Sequence, residues 1–64
     1  MLSFDEVNEV VSSFCKARSI PYESLSLAIS PEEVYDDLTS FYLATGDKYA
    51  KTVSDLLGKY LLSA

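Results

Sequence analysis

Ser30-Pro31-Glu32-Glu33-Val34-Tyr35-Asp36-Asp37-Leu38-Thr39-Ser40-Phe41-Tyr42-Leu43-Ala44-Thr45-Gly46-Asp47-Lys48-Tyr49-Ala50 is the stretch on which the fold turns. Ser30 stands where an N-cap accepts from the backbone N–H of Glu33, and the Glu33 carboxylate can reach back to the N–H of Ser30. Pro31 falls at the first helical position, where its missing N–H costs nothing. Ile29 and Val34 flank the cap at hydrophobic-staple spacing. From there the apolar residues advance in steps of three and four: Val34, Leu38, Phe41, Tyr42, then Tyr49, Val53, Leu56, Leu57, Tyr60, Leu61. That spacing puts them on one helical face.

The phase survives across Thr45-Gly46-Asp47, so two readings stand. In the first, Gly46 ends one helix in the left-handed conformation and Asp47 caps the next. In the second, the last two helices merge and Gly46 is a weak point costing roughly 1 kcal/mol against Ala. A continuous helix over 31–62 would be about 48 Å long, too long for a small monomer without a partner. Glycine followed by aspartate is stop-and-start chemistry, which favours the break.

Toward the N-terminus, Ser3 and Glu6 repeat the capping box, with Leu2 and Val7 at staple spacing. Asp5 and Glu6 lie in the first turn and Lys16 and Arg18 in the last, as the helix dipole favours. The apolar face is Val7, Val10, Val11, Phe14 and Cys15. Ser19-Ile20-Pro21 interrupts the pattern, because the residue before proline is pushed out of helical geometry. Pro21 can then open a short helix through Tyr22, Leu25, Ala28 and Ile29. The expectation is an all-α single domain of three or four short helices, about 4–18, 21–29, 31–45 and 47–62. Its expected core is Val7, Val10, Val11, Phe14, Leu25, Ile29, Val34, Leu38, Phe41, Val53, Leu56, Leu57 and Tyr60.

Composition narrows the function classes. With 64 residues the domain is small enough that its core alone is marginal, although 48% apolar residues are ample to build one. The lone Cys15 allows no internal disulfide, and the absence of histidine removes the usual zinc ligand sets. Oligomerisation or docking on another protein is the support that remains. The acidic start, with Asp5, Glu6 and Glu9, is unlike a signal peptide, and no apolar run is long enough to span a membrane. A cytoplasmic, soluble protein is expected. Net charge is −5; residues 1–37 hold eight acids against Lys16 and Arg18, whereas residues 38–64 are at +1. That balance disfavours direct nucleic-acid binding and suits a basic protein partner.

Four features stand out. The acids Glu32, Glu33, Asp36 and Asp37 serve a helix N-terminus and an outer face, or dock a basic partner as a mimic of nucleic-acid phosphates. Tyr35, Tyr42 and Tyr49 recur every seven residues. If helical phase carries through Gly46 they form one stripe, either a partner face or a boundary closing the core. Cys15 lacks a histidine base and sits near the negative end of its helix, which points to a buried core thiol and not a nucleophile. Leu43 and Leu62 fall off the main seam and, with a tyrosine, could form an association patch. No metal set, nucleophile–base pair or phosphate loop is present in the pattern, so neither an enzyme, a cofactor nor a small-molecule substrate is expected. The last segment has too few basic residues for a membrane-surface helix.

Leu38-Thr39-Ser40-Phe41-Tyr42-Leu43-Ala44, followed by Lys48 and Ala50, resembles the third helix of the Hha/YmoA family. These are small helical proteins that modulate bacterial gene silencing by binding a nucleoid-structuring protein. The resemblance covers about a third of the chain and implies a helical modulator of a DNA-binding protein. The family has Ala-Asp-His-Arg where this chain has Thr45-Gly46-Asp47-Lys48, and it is less acidic. Asp47 is displaced by one position, so no partner-binding role passes to it.

The reading of the residues is therefore a non-enzymatic acidic interaction module, either a homo-oligomer or a binder of a larger protein. Tyr35, Tyr42, Tyr49, Glu32, Asp36 and Asp37 are its candidate contact residues. The alternative is a nucleic-acid mimic or a modulator of a DNA-binding protein.

Overall fold

The computed structural model describes residues 2–25, 27 and 30–63, with backbone alone for Tyr22 and Ser24. It contains three α-helices, α1 (Phe4–Ala17), α2 (Pro31–Thr45) and α3 (Lys48–Ser63), and a 3-10 turn at Tyr22–Leu25. The chain is all-α: among the described residues there is no strand.

α1 begins as its sequence dictates. The Ser3 hydroxyl accepts from the Glu6 N–H at 3.2 Å, but the Glu6 carboxylate accepts from the Ser3 hydroxyl at 3.1 Å, not from its backbone. The helix closes in a Schellman motif. The Ile20 N–H donates to the Cys15 carbonyl at 2.9 Å and the Ser19 N–H to Lys16 at 3.4 Å. This geometry puts Ser19 at φ +56°, a left-handed position where glycine is usual. It also turns Ile20 inward, where it packs against the core.

The helix expected over 21–29 is replaced, as far as it is described, by the single 3-10 turn. Leu25 and Leu27 are both buried although two residues apart, a spacing that no α-helix face provides. Ala28, Ile29 and the Ile29–Val34 staple lie outside the described residues. Ser30 precedes α2 without a side-chain cap bond, contrary to expectation. Its ψ is 92°, against 159° at Ser3, which turns the hydroxyl away from the Glu33 N–H. Pro31 does occupy the first turn, and the Val34 N–H still bonds the Ser30 carbonyl at 3.2 Å.

Between α2 and α3 the chain breaks and reverses. Gly46 adopts φ +72°, ψ +17°, and its N–H donates to the Tyr42 carbonyl at 2.7 Å. Asp47 caps α3, its Oδ1 accepting from the N–H groups of Tyr49 at 2.9 Å and Ala50 at 3.4 Å. The longest dimension of the molecule is 29 Å, well short of the ~48 Å an unbroken helix would need.

α3 packs against both α1 and α2. The core is built from Val7, Val11, Phe14 and Cys15 of α1, Leu25 and Leu27 of the connection, Val34 and Leu38 of α2, and Ala50, Val53 and Leu57 of α3. Phe14 is its centre, with no exposed surface. Its ring meets Phe41 edge-on at 5.7 Å and Tyr49 edge-on at 5.1 Å, so one side chain joins all three helices. Such edge-to-face pairs add roughly 0.5–1.5 kcal/mol beyond area burial. Val10, Phe41 and Tyr60, expected inside, are partly buried at its margin. Leu56 is only half-buried and lies outside the cluster. Ala50 and Leu27, not expected, are inside; Ala50 is small enough for another element to approach α3 closely.

Candidate interaction surface

The heptad of tyrosines does not form one stripe. The left-handed turn at Gly46 reverses the chain, so helical phase is not carried through it. Tyr35 and Tyr42 lie on the outer side of the α2–α3 pair, away from α1. Tyr49 lies on the other side, its ring on Phe14 and facing a shallow groove lined by Glu6, Glu9, Val10 and Ser13 of α1. The Arg18 guanidinium stands 5.4 Å from the Tyr49 ring centroid and covers it further.

The outer side of α2 and α3 carries a groove in two parts that share Tyr35. One part is lined by Tyr35, Thr39, Tyr42 and Leu43 from α2 and by Lys51, Ser54 and Asp55 from α3. In the other, Tyr35 meets Gly58, Leu61 and Leu62. Gly58 lets the tyrosine lie close: a β-carbon at that position would stand 3.2 Å from Tyr35 Cε1. In the first part, the Thr39 and Ser54 hydroxyls bond each other at 2.8 Å and satisfy the one polar side chain buried in the described structure. The Lys51 ammonium lies 5.9 Å from the Tyr42 ring centroid and pairs with Asp55 at 3.1 Å.

This groove is flanked by leucines that the fold leaves in water. Leu43 is 75% exposed and Leu62 90%, while Tyr35 is 36% exposed. Each is ordinary alone; their placement along one groove with a tyrosine between them is what the fold adds.

The acids divide as well. Glu32, Asp36 and Asp37 are all exposed. Glu32 and Asp36, four residues apart, share one edge of α2 with Leu43, seven residues on from Asp36. Asp37 falls about 100° further round the helix, so the three do not form a single cluster facing one way.

Cys15 is buried, and burial pushes its thiol above the usual range against a weaker opposing backbone hydrogen bond. That is the reverse of what activates a cysteine. Among the described residues, no group of histidine, cysteine and carboxylate side chains could hold a metal ion. Nor is any helix among them long and apolar enough to cross a membrane.

Sequence reasoning grouped Leu43 and Leu62 with a tyrosine as a candidate association patch, but it did not say which tyrosine or place them along a groove between α2 and α3. It missed the Thr39–Ser54 bond and the seating of Tyr35 on Gly58, for which the only local signal was a glycine inside a helical pattern. Compared with known proteins, the chain matches no family model, no curated sequence and no solved structure.

Proposed function

We infer that this chain is a non-enzymatic association module, a small acidic helical bundle acting as an adaptor, inhibitor or antitoxin-like regulator. It works by self-association or by holding a larger protein, through the outer face of α2 and α3. The observation that carries this is the groove centred on Tyr35 and flanked by the exposed Leu43 and Leu62. Tyr42 and Leu61 of this groove pack against the core, whereas Leu43 and Leu62 are left exposed, and aromatic anchors within apolar grooves are what interface centres are made of. A single buried cysteine fits a reducing, cytoplasmic setting.

A second reading rests on Glu32 and Asp36. Both are exposed and aligned on one edge of α2, so a basic surface could be held there, as a nucleic-acid mimic or an Hha-like modulator would do. The stretch that resembles the Hha/YmoA third helix is divided here between α2 and α3 by the turn at Gly46.

The test is affinity capture from cells with tagged wild type, L43D/L62D and E32Q/D36N/D37N chains in parallel, at low and high salt. The reading expects a stoichiometric species, a larger protein or untagged copies of the chain, that wild type keeps at high salt and L43D/L62D loses while remaining helical by circular dichroism. Identical captures by wild type and L43D/L62D would remove the face from consideration. Loss confined to the acid variant and to high salt would favour the second reading.

A further inference from the structure

The two edges of the outer α2–α3 face carry opposite charge. Along α2 stand Glu32 and Asp36, in line with Leu43. Along α3 stand Lys48, Lys51 and Lys59, with one acid, Asp55, already held by Lys51. All of these are exposed, and α1 contributes nothing to the groove between them. The register across the groove is set by three contacts: Tyr42 stands level with Lys51, Thr39 with Ser54 and Tyr35 with Gly58. Because the helices are antiparallel, continuing that register places Glu32 and Asp36 just either side of the level of Lys59.

We propose that this face closes on a second copy of the chain about a two-fold axis running along the groove, each α2 lying over its partner's α3. The proposal rests on the reading of this face as the binding surface and names its occupant. Rotation about such an axis keeps every residue at its own level and exchanges the two edges. Glu32 and Asp36 therefore come opposite Lys59 of the partner subunit, twice over. Tyr35, in the middle of the groove, meets its own mate near the axis. Leu43 is covered by the hydrocarbon stems of the partner's Lys48 and the partner's Lys51, and Leu62 reaches the first turn of the partner's α2. The other two-fold, with α2 over α2 and α3 over α3, reverses the levels; it leaves Glu32 and Asp36 against a helix that has no basic residue and sets the lysine-bearing edges against each other. A face whose edges are complementary to each other is complementary to itself under one rotation only, the condition an isologous dimer must meet.

Charge exchange tests this directly. Wild type should sediment as a concentration-dependent dimer, weakened by salt. Lys59→Glu sets acid against acid, and the double variant Glu32→Lys, Asp36→Lys sets base against base; each should raise the dimer Kd by about tenfold or more. Both changes are on exposed positions, and circular dichroism confirms that each variant is folded. Mixed in equal amounts, the two variants should dimerise with each other, because each then supplies the edge the other lacks. Variants that dimerise as wild type does, or a mixture that stays monomeric, would overturn this packing. A wild type that is monomeric at every concentration would overturn the dimer altogether and leave the face to a larger protein. In that case, unchanged capture by L43D/L62D would bring down the reading of the face as well.

Discussion

Arg18 and Asp47, 29 residues apart, form a bidentate ion pair: Nε donates to Oδ2 at 2.7 Å and Nη2 to Oδ1 at 3.1 Å. The same Oδ1 accepts from the N–H groups of Tyr49 and Ala50. One carboxylate therefore caps α3 and ties its first turn to the end of α1. The fork of the guanidinium matches the carboxylate plane, and its face lies near the rings of Phe14 and Tyr49.

The pair makes stability depend on acid. The Arg18 hydrogen bonds lower the Asp47 pKa from 3.8 to about 2, with help from the Tyr49 and Ala50 amides and against some desolvation. Because the native carboxylate binds its proton less tightly than the unfolded chain does, the contribution is complete above about pH 4. It is lost as pH falls through about 2. Urea midpoints followed by circular dichroism from pH 5 to pH 2 should fall more for wild type than for Asp47→Asn, which keeps a capping oxygen but cannot titrate. Parallel profiles for the two proteins would show that the pair carries no such linkage.

Two left-handed positions should respond in opposite senses. Gly46 at φ +72° has nothing within 4 Å of the place a β-carbon would take, so Gly46→Ala meets only the backbone cost of that conformation. Ser19 already bears that cost at φ +56°. Gly46→Ala should destabilise and Ser19→Gly stabilise, each by roughly 0.5–1 kcal/mol once unfolded-chain entropy is set against the strain. Equilibrium urea unfolding of the two variants checks both signs.

Gly58 presents a balance between propensity and packing. Alanine is better than glycine inside a helix by roughly 1 kcal/mol, but its β-carbon would press on Tyr35 Cε1 at 3.2 Å. The ring is partly exposed and can give way by a few tenths of an ångström. Gly58→Ala should therefore stabilise by less than the full ~1 kcal/mol, and by more in a Tyr35→Ala background. An equal gain in both backgrounds would mean that the ring does not rest on Gly58 in solution.

Much of the helical layout was legible because its signals are local. Ser3 and Glu6, or Asp47 and Ala50, interact across a single turn, and a turn is rigid enough for spacing to specify contact. The same letters at Ser30 and Glu33 made no side-chain bond, because a cap needs the right backbone angles as well as the right spacing, and Ser30 sits at ψ 92° where Ser3 sits at 159°. The 3-10 turn escaped notice because two leucines at spacing two obey the core, not a helix. The exposed leucines of the candidate face, and their grouping with a tyrosine, were legible, but the choice of Tyr35 depends on how two helices lie side by side.

The sequence by itself determined that the chain is all-α and where α1, α2 and α3 begin and end to within a residue or two, and it favoured, without deciding, a stop and restart around Gly46. These follow from backbone geometry and hydrogen bonds within about one turn. Only the tertiary structure decided which residues share a surface. Once Gly46 reverses the chain, Tyr49 passes to the α1 side, Tyr35 is seated on Gly58 beside Leu62, and Arg18 reaches Asp47. The physical reason is that a heptad fixes position on a helix only while the helix continues; beyond a left-handed residue, position is set by which side chains fill the common core, here the packing of Phe14 against Phe41 and Tyr49.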